Sequence, residues 1–147
     1  MKNLSDLRIN TFKDYKKSYQ KSVEKPEKFW DKIANTFEWR EPWTKTLDYN
    51  FDQAEFSWFE GGKLNITENA LDRHLEKFGN KTAIIWEPNN PLEETRYITY
   101  RQLHHKVCKF ANVLKNNVVQ RGDPVSLYMP MMPELAIAMW AGARIGA

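Results

Sequence analysis

The sequence predicts an α/β protein, on three observations. Short segments rich in β-formers, residues 82–86, 96–99 and 125–129, alternate with helical patterns that open at Tyr100 and Pro133. Helix-start signals stand where those helices should begin. Ahead of about Leu64 the alternation is missing, and a polar leader rich in Trp and Lys takes its place, so a helical and irregular N-terminal part should precede the α/β part.

In the leader, Thr11 with Asp14 three residues on forms a capping pair, and Pro26–Glu27 suits the first turn of a second helix. Phe29, Trp30, Ile33 and Phe37 then share one helical side. Between Glu38 and Gly62 the punctuation by Pro42, Asp48, Asn50, Gly61 and Gly62 predicts an irregular connection pinned by its aromatic residues.

Asn65 and Glu68 predict a helix with Leu71, Leu75 and Phe78 on one face and Gly79 at its end. Residues 82–86 and 96–99 should pair as a hairpin across the loop containing Pro88, Asn89, Asn90 and Pro91. Thr99 with Gln102 caps the clearest amphipathic helix, whose Leu103, Val107, Phe110, Ala111 and Leu114 form a stripe. After a turn at Arg121, Gly122 and Asp123, residues 125–129 read as a strand. Pro133 and Glu134 open a helix that is apolar in every direction through Ala141, with Gly146 as its stop. Such a helix needs cover on all sides, and strand–helix alternation calls for another strand. The chain is therefore expected to continue past Ala147, and this piece alone to be marginal or aggregation-prone.

Composition bounds the function. With 41% hydrophobic and 28% charged residues the chain is globular, and 22 basic against 19 acidic residues leave no strong field for a polyanion. The local excess at Lys13, Lys16, Lys17, Lys21, Lys25 and Lys28 reads as a solvated helix face rather than a nucleic-acid patch. Cys108, the single cysteine, supports neither a disulfide nor a zinc site. Met1 to Asn10 lack the apolar stretch of a secretory signal, and nothing approaches a membrane span, so no membrane partner and a reducing, cytoplasmic setting are expected.

Motifs for chemistry are sparse. No glycine-rich phosphate loop is present: Gly61–Gly62 reads as a turn, and Gly142 with Gly146 as small residues packed at a helix end. His74, His104 and His105 lie in expected helices without a zincin spacing or a nearby nucleophile, which favours structural roles. Ser126 lacks a nucleophile elbow, and Asp72, Arg73 and Asp123 are accounted for by local pairing. Met129, Met131 and Met132, bracketed by prolines, are expected in a buried strand-to-helix turn.

The stretch RGDPVSLYMPMMPELAIAMWAGARIGA resembles the segment of acyl-adenylate-forming enzymes in which a GD turn, a YMP strand and a PE helix ending in ARIGA occur together. FSWFEGGKLNITENALDRHLEKFGNKTAIIWE and YITYRQLHHKVCKFANVLK are similar to the matching part of acetyl-CoA synthetases. YKKSYQKSVEKPEKFWDKIA resembles the extra N-terminal region of short-chain acyl-CoA synthetases. The YMP-to-ARIGA segment is shared with propionyl-CoA synthetases, whereas LDRH paired with TAIIWE points toward acetate enzymes; acetoacetyl-CoA synthetases match less well.

The resemblance implies an N-terminal region over residues 1–70, followed over 71–147 by the start of the large α/β lobe of an AMP-binding domain, incomplete at its C-terminal end. It implies a two-step ligase using acetate, ATP, Mg2+ and CoA by way of acetyl-adenylate and pyrophosphate. The family's phosphate loop, acyl pocket and catalytic lysine have no matching positions here. No catalytic, cofactor-binding or metal-ligating residue is therefore carried over, and the chain alone is expected to be inactive scaffold whose partner is the remainder of its own polypeptide. Propionate as substrate and a non-catalytic basic, aromatic interaction module stand as alternatives.

Overall fold

The computed structural model describes residues 8–147, so the reading of Met1 to Asn10 lies mostly outside the described residues. The chain divides into two compact units, Met1–Leu64 and Asn65–Ala147.

In the first unit, helix α1 (Phe12–Glu24) begins as expected: Thr11 Oγ1 accepts from Asp14 N at 3.1 Å, and the Asp14 carboxylate accepts from Thr11 N at 3.0 Å. The Thr11 hydroxyl also donates to the Asp14 carboxylate at 2.7 Å, and this bond is the chief cause that holds the Asp14 carboxyl below its ordinary pKa. Helix α2 (Pro26–Ala34) starts at Pro26, where a missing N–H costs nothing. A regular hairpin then replaces the expected irregular connection. Its strands β1 (Lys45–Asn50) and β2 (Glu55–Glu60) run antiparallel, with Leu47 opposite Trp58 and Tyr49 opposite Phe56. These same-face apolar pairs supply what the turn residues concealed. Asn50 Oδ1 accepts from Asp52 N and Gln53 N in the connecting turn.

At the base of the hairpin, the Asp31 carboxylate accepts from Trp43 Nε1 at 3.1 Å and from buried Thr46 Oγ1 at 3.0 Å. That carboxylate ties α2 to β1. Trp39, Trp43 and Phe59 cluster beside it with ring centroids 4.7–5.5 Å apart.

In the second unit the expected single helix is broken. Asn65 caps helix α3 (Ile66–Ala70) through Thr67 N rather than Glu68, the backbone leaves helical geometry at Leu71, and a 3-10 turn (Asp72–His74) precedes helix α4 (Leu75–Phe78). The break buries Leu71 to 2% exposure and turns Asp72 toward the last helix. Tertiary pairing overrides the local helical pattern. Gly79 ends α4 in a right-handed conformation, and its need for glycine is steric: a Cβ there would meet Leu75 O at 2.4 Å and Arg101 Nη2 at 2.6 Å.

Strands β3 (Thr82–Trp86) and β4 (Arg96–Thr99) pair antiparallel as expected. Helix α5 (Tyr100–Asn116) carries the Thr99–Gln102 capping box and buries Leu103, Val107, Ala111 and Leu114. These pack with Leu71, Ile98, Ile137 and Ala141 into one core, joined by the half-buried Phe110 and Trp140. Helix α6 (Pro133–Ile145) lies against α5 and buries Ile137, Ala138, Ala141 and Gly142, but Met139 is 61% exposed. Gly146 stops α6 in the left-handed region at φ 82°, with Ala147 N and Gly146 N returning to Gly142 O and Ala143 O. That is a Schellman closure.

Two expectations fail at one place. Residues 125–129 form no strand, because among the described residues no strand pairs with them and a strand exists only through its ladder. Met129 and Met131 are consequently exposed rather than core, Met131 at 85%, while Met132 is half-buried. Nor does close packing explain Gly142, since a Cβ there would meet nothing within 4 Å.

The two glycines should therefore respond oppositely to the same change. In urea unfolding of this chain followed by far-UV circular dichroism, Gly79→Ala should lose about 1–3 kcal/mol through overpacking. Gly142→Ala, inside a helix with room for a methyl group, should gain about 0.5–1 kcal/mol.

Candidate functional site

The densest grouping of chemically capable side chains in the second unit sits where the 3-10 turn, α5 and α6 converge. Asp72 Oδ2 accepts from Arg144 Nη1 at 2.8 Å and Asp72 Oδ1 from Arg144 Nη2 at 2.7 Å, a two-point guanidinium–carboxylate pair. Arg144 Nη1 also reaches Thr67 Oγ1 at 3.4 Å, and Asn65 Nδ2 donates to the Ala143 and Arg144 carbonyls near the end of α6. From α5, His104 Nε2 lies 3.2 Å from Asp72 Oδ1 and 3.5 Å from Cys108 Sγ. Hydrogen bonding from Arg144 is the chief cause that holds the Asp72 carboxyl below its ordinary pKa, and the same pair raises that of Arg144.

A carboxylate held at both oxygens by one guanidinium has little capacity left as a base. Thiol–imidazole–carboxylate catalysis engages the two ring nitrogens separately, one for the nucleophile and one for the orienting acid. Here Cys108 and Asp72 face the same nitrogen, Nε2. The arrangement is a clamp between elements far apart in sequence.

A second clamp fixes the other end of α6. Arg96 Nη2 donates to Glu134 Oε1 at 2.7 Å, its guanidinium lies 5.5 Å from the Trp86 ring centroid, and Trp86 Nε1 donates to Met131 O at 2.8 Å. Hydrogen bonding from Arg96 lowers the Glu134 pKa. The two charged residues of α6, Glu134 and Arg144, are thus both paired with β4 or the 3-10 turn.

The other residues considered from sequence are dispersed. His105 is exposed, and the half-buried His74 lies beside Phe78 and Tyr100. Ser126 is exposed in the unpaired segment, and Asp123 closes its turn by accepting from Gln120 N at 2.7 Å. Gly61, at φ 72°, makes a turn, and a Cβ on Gly62 would strike the Trp39 ring at 2.7 Å. Among the described residues no group of three or more His, Cys, Asp or Glu could hold a metal ion, and the Arg144 guanidinium is occupied by Asp72. The groups around Asp72 are thus engaged with one another. Sequence reasoning missed Arg144 and its pairing with Asp72, although a lone basic residue in an otherwise apolar helix was a signal that a partner existed.

A family model described as AMP-binding enzyme matches residues 71–147, more than half of the chain. The chain belongs to the AMP-binding enzyme family. A second model, acetyl-coenzyme A synthetase N-terminus, matches residues 15–70. Among curated relatives, the acetyl-coenzyme A synthetase of Leptospira biflexa is 50% identical over 147 residues, covering 99% of this chain and 22% of the relative. That of Syntrophobacter fumaroxidans is 51% identical over 133 residues, covering 90% and 20%. The solved acetoacetyl-CoA synthetase from Streptomyces lividans superposes with a TM-score of 0.78 at 26% identity, over 86% of this chain and 19% of that one. The chain spans about a fifth of the length of these relatives. Among the described residues no helix is long and apolar enough to cross a membrane.

Asp72→Asn should lower the stability of the second unit by about 1–2 kcal/mol at pH 7, a charged hydrogen-bond value reduced for partial solvent screening. Because the folded-state pKa of Asp72 is depressed, its contribution is complete above the ordinary value of about 3.9 and is lost as pH falls through the lower folded value. Urea midpoints of the parent and variant chains should accordingly converge below about pH 4.

Proposed function

We propose that this chain is the N-terminal portion of an acetate–CoA ligase, which joins acetate and CoA with consumption of ATP through acetyl-adenylate, releasing AMP and pyrophosphate. The observation that carries this reading is the adjoining order of the two family matches, synthetase N-terminus over residues 15–70 and AMP-binding enzyme over 71–147. The names of the relatives favour acetate over propionate, and the family membership favours an enzyme over a non-catalytic interaction module.

On this reading residues 1–70 are the synthetase-type N-terminal region and residues 71–147 the start of the AMP-binding domain. ATP, Mg2+ and CoA are bound by the complete enzyme, in the cytoplasm, with catalytic and ligand-binding side chains supplied by other parts of the polypeptide. What this chain contributes is scaffold. Its clamps at Asp72 and Arg96 hold α6 on α5 and the β3–β4 hairpin, and so support an adjacent site without entering it.

Exchange of labelled pyrophosphate into ATP tests the reading. A complete protein carrying this segment should catalyse acetate-dependent exchange with a higher kcat/KM than for propionate, while the 147-residue chain alone should catalyse none. A complete protein without acetate-dependent exchange would overturn the ligase assignment; exchange by the short chain would overturn its role as scaffold.

A further inference from the structure

Residues 125–129 have strand composition and are exposed throughout, and among the described residues none of their N–H or C=O groups takes part in a backbone hydrogen bond. Helix α6 opens just past this segment, and its far end returns to the segment's beginning. Gly122 N donates to Gly146 O at 2.8 Å, and a Cβ on Gly146 would meet Arg121 Cγ at 3.1 Å. The left-handed turn at Gly146 therefore releases the chain within one hydrogen bond of residue 122, at the head of the segment and not at its tail.

A chain that continues from there beside residues 125–129 runs in their own direction. Parallel neighbours need a crossover of about a dozen residues or more, usually a helix, and the 13 residues of α6 supply it. Such crossovers are right-handed. Met131 at 85% exposure and Met139 at 61% mark apolar surface beside this edge that α5 leaves uncovered. The chain spans 22% of its Leptospira relative, so most of a polypeptide of that kind lies outside it. Resting on the reading of this chain as the N-terminal portion of a longer enzyme, we infer that residues 125–129 are the docking edge for the segment that follows α6 in that enzyme. That segment adds as a parallel strand whose start lies opposite Val125. Because parallel strands are covered on both faces, the incoming segment is a short, nearly continuous apolar run.

Photocrosslinking and hydrogen exchange test the edge. A photo-reactive phenylalanine analogue is placed at position 126 of the complete protein and, in a second variant, at position 128; both positions are exposed, so neither replacement enters the core. Cross-links mapped by mass spectrometry should fall in the stretch that follows α6, those from position 126 nearer to Ala147 than those from position 128. Amides of residues 125–129 should exchange more slowly in the complete protein than in this chain, by on the order of a hundredfold. Cross-links in the reverse order, cross-links confined to other parts of the polypeptide, or equal exchange in the two proteins would overturn the proposal. Protection in this chain that rises with its concentration to the level of the complete protein would assign the edge to a second copy, and so overturn it as well. Labelled-pyrophosphate exchange keeps the two readings apart. Ordered cross-links in a complete protein without exchange uphold the strand and remove only the ligase assignment, whereas exchange with reversed cross-links removes only the strand.

Discussion

A guanidinium lying on an otherwise apolar helix must find a counter-charge or forfeit the burial of that helix, and the second unit is arranged around the way Arg144 meets this demand. Its two-point contact with Asp72 brings the last helix of the chain onto a 3-10 turn near the start of the unit. The break at Leu71 presents Asp72 at the required place while sending Leu71 into the core. His104 then approaches the same carboxylate from α5, so three elements converge on one anion. Apolar packing supplies most of the driving force through Val107, Ala111, Ile137 and Ala141. The ion pair contributes register, fixing which turn of α6 meets the 3-10 turn.

The legibility of each element in the sequence depends on the distance over which its signal acts. Thr11 with Asp14, Thr99 with Gln102, and the prolines at 26 and 133 act within one helical turn, and each helix starts where those residues place it. The stripe from Leu103 to Leu114 was equally legible, because a period of 3.6 residues is a property of the helix itself. The hairpin of β1 and β2 was not. Its apolar alternation is interrupted by Asp48, Asn50 and Ser57 on the other face, and its strongest signal lies in cross-strand pairs whose register the sequence alone does not state.

Residues 125–129 teach the converse. Val125, Leu127 and Met129 have strand composition, but composition supplies only half of a ladder, and a strand must be completed by its neighbour. The clamp at Asp72 was hidden for a related reason. Asp72 and Arg144 are individually ordinary, and only the tertiary fold brings them together. His104 and Cys108, four residues apart on one helix, were close in sequence, yet their shared approach to a single ring nitrogen depends on where Asp72 stands.

The separation of Asp72 and Arg144 by 72 residues also bears on the order in which the unit can form during synthesis. Local helices such as α5 can close as soon as their own residues leave the ribosome. Asp72 must wait for Arg144, a delay of several seconds at roughly 5–20 residues per second. During that interval the 3-10 turn lacks its counter-charge and Leu71 lacks the core completed by Ile137 and Ala141. The emergence of α6 therefore brings to the unit, at one moment, both the counter-charge of Asp72 and the apolar side chains that complete the core around Leu71.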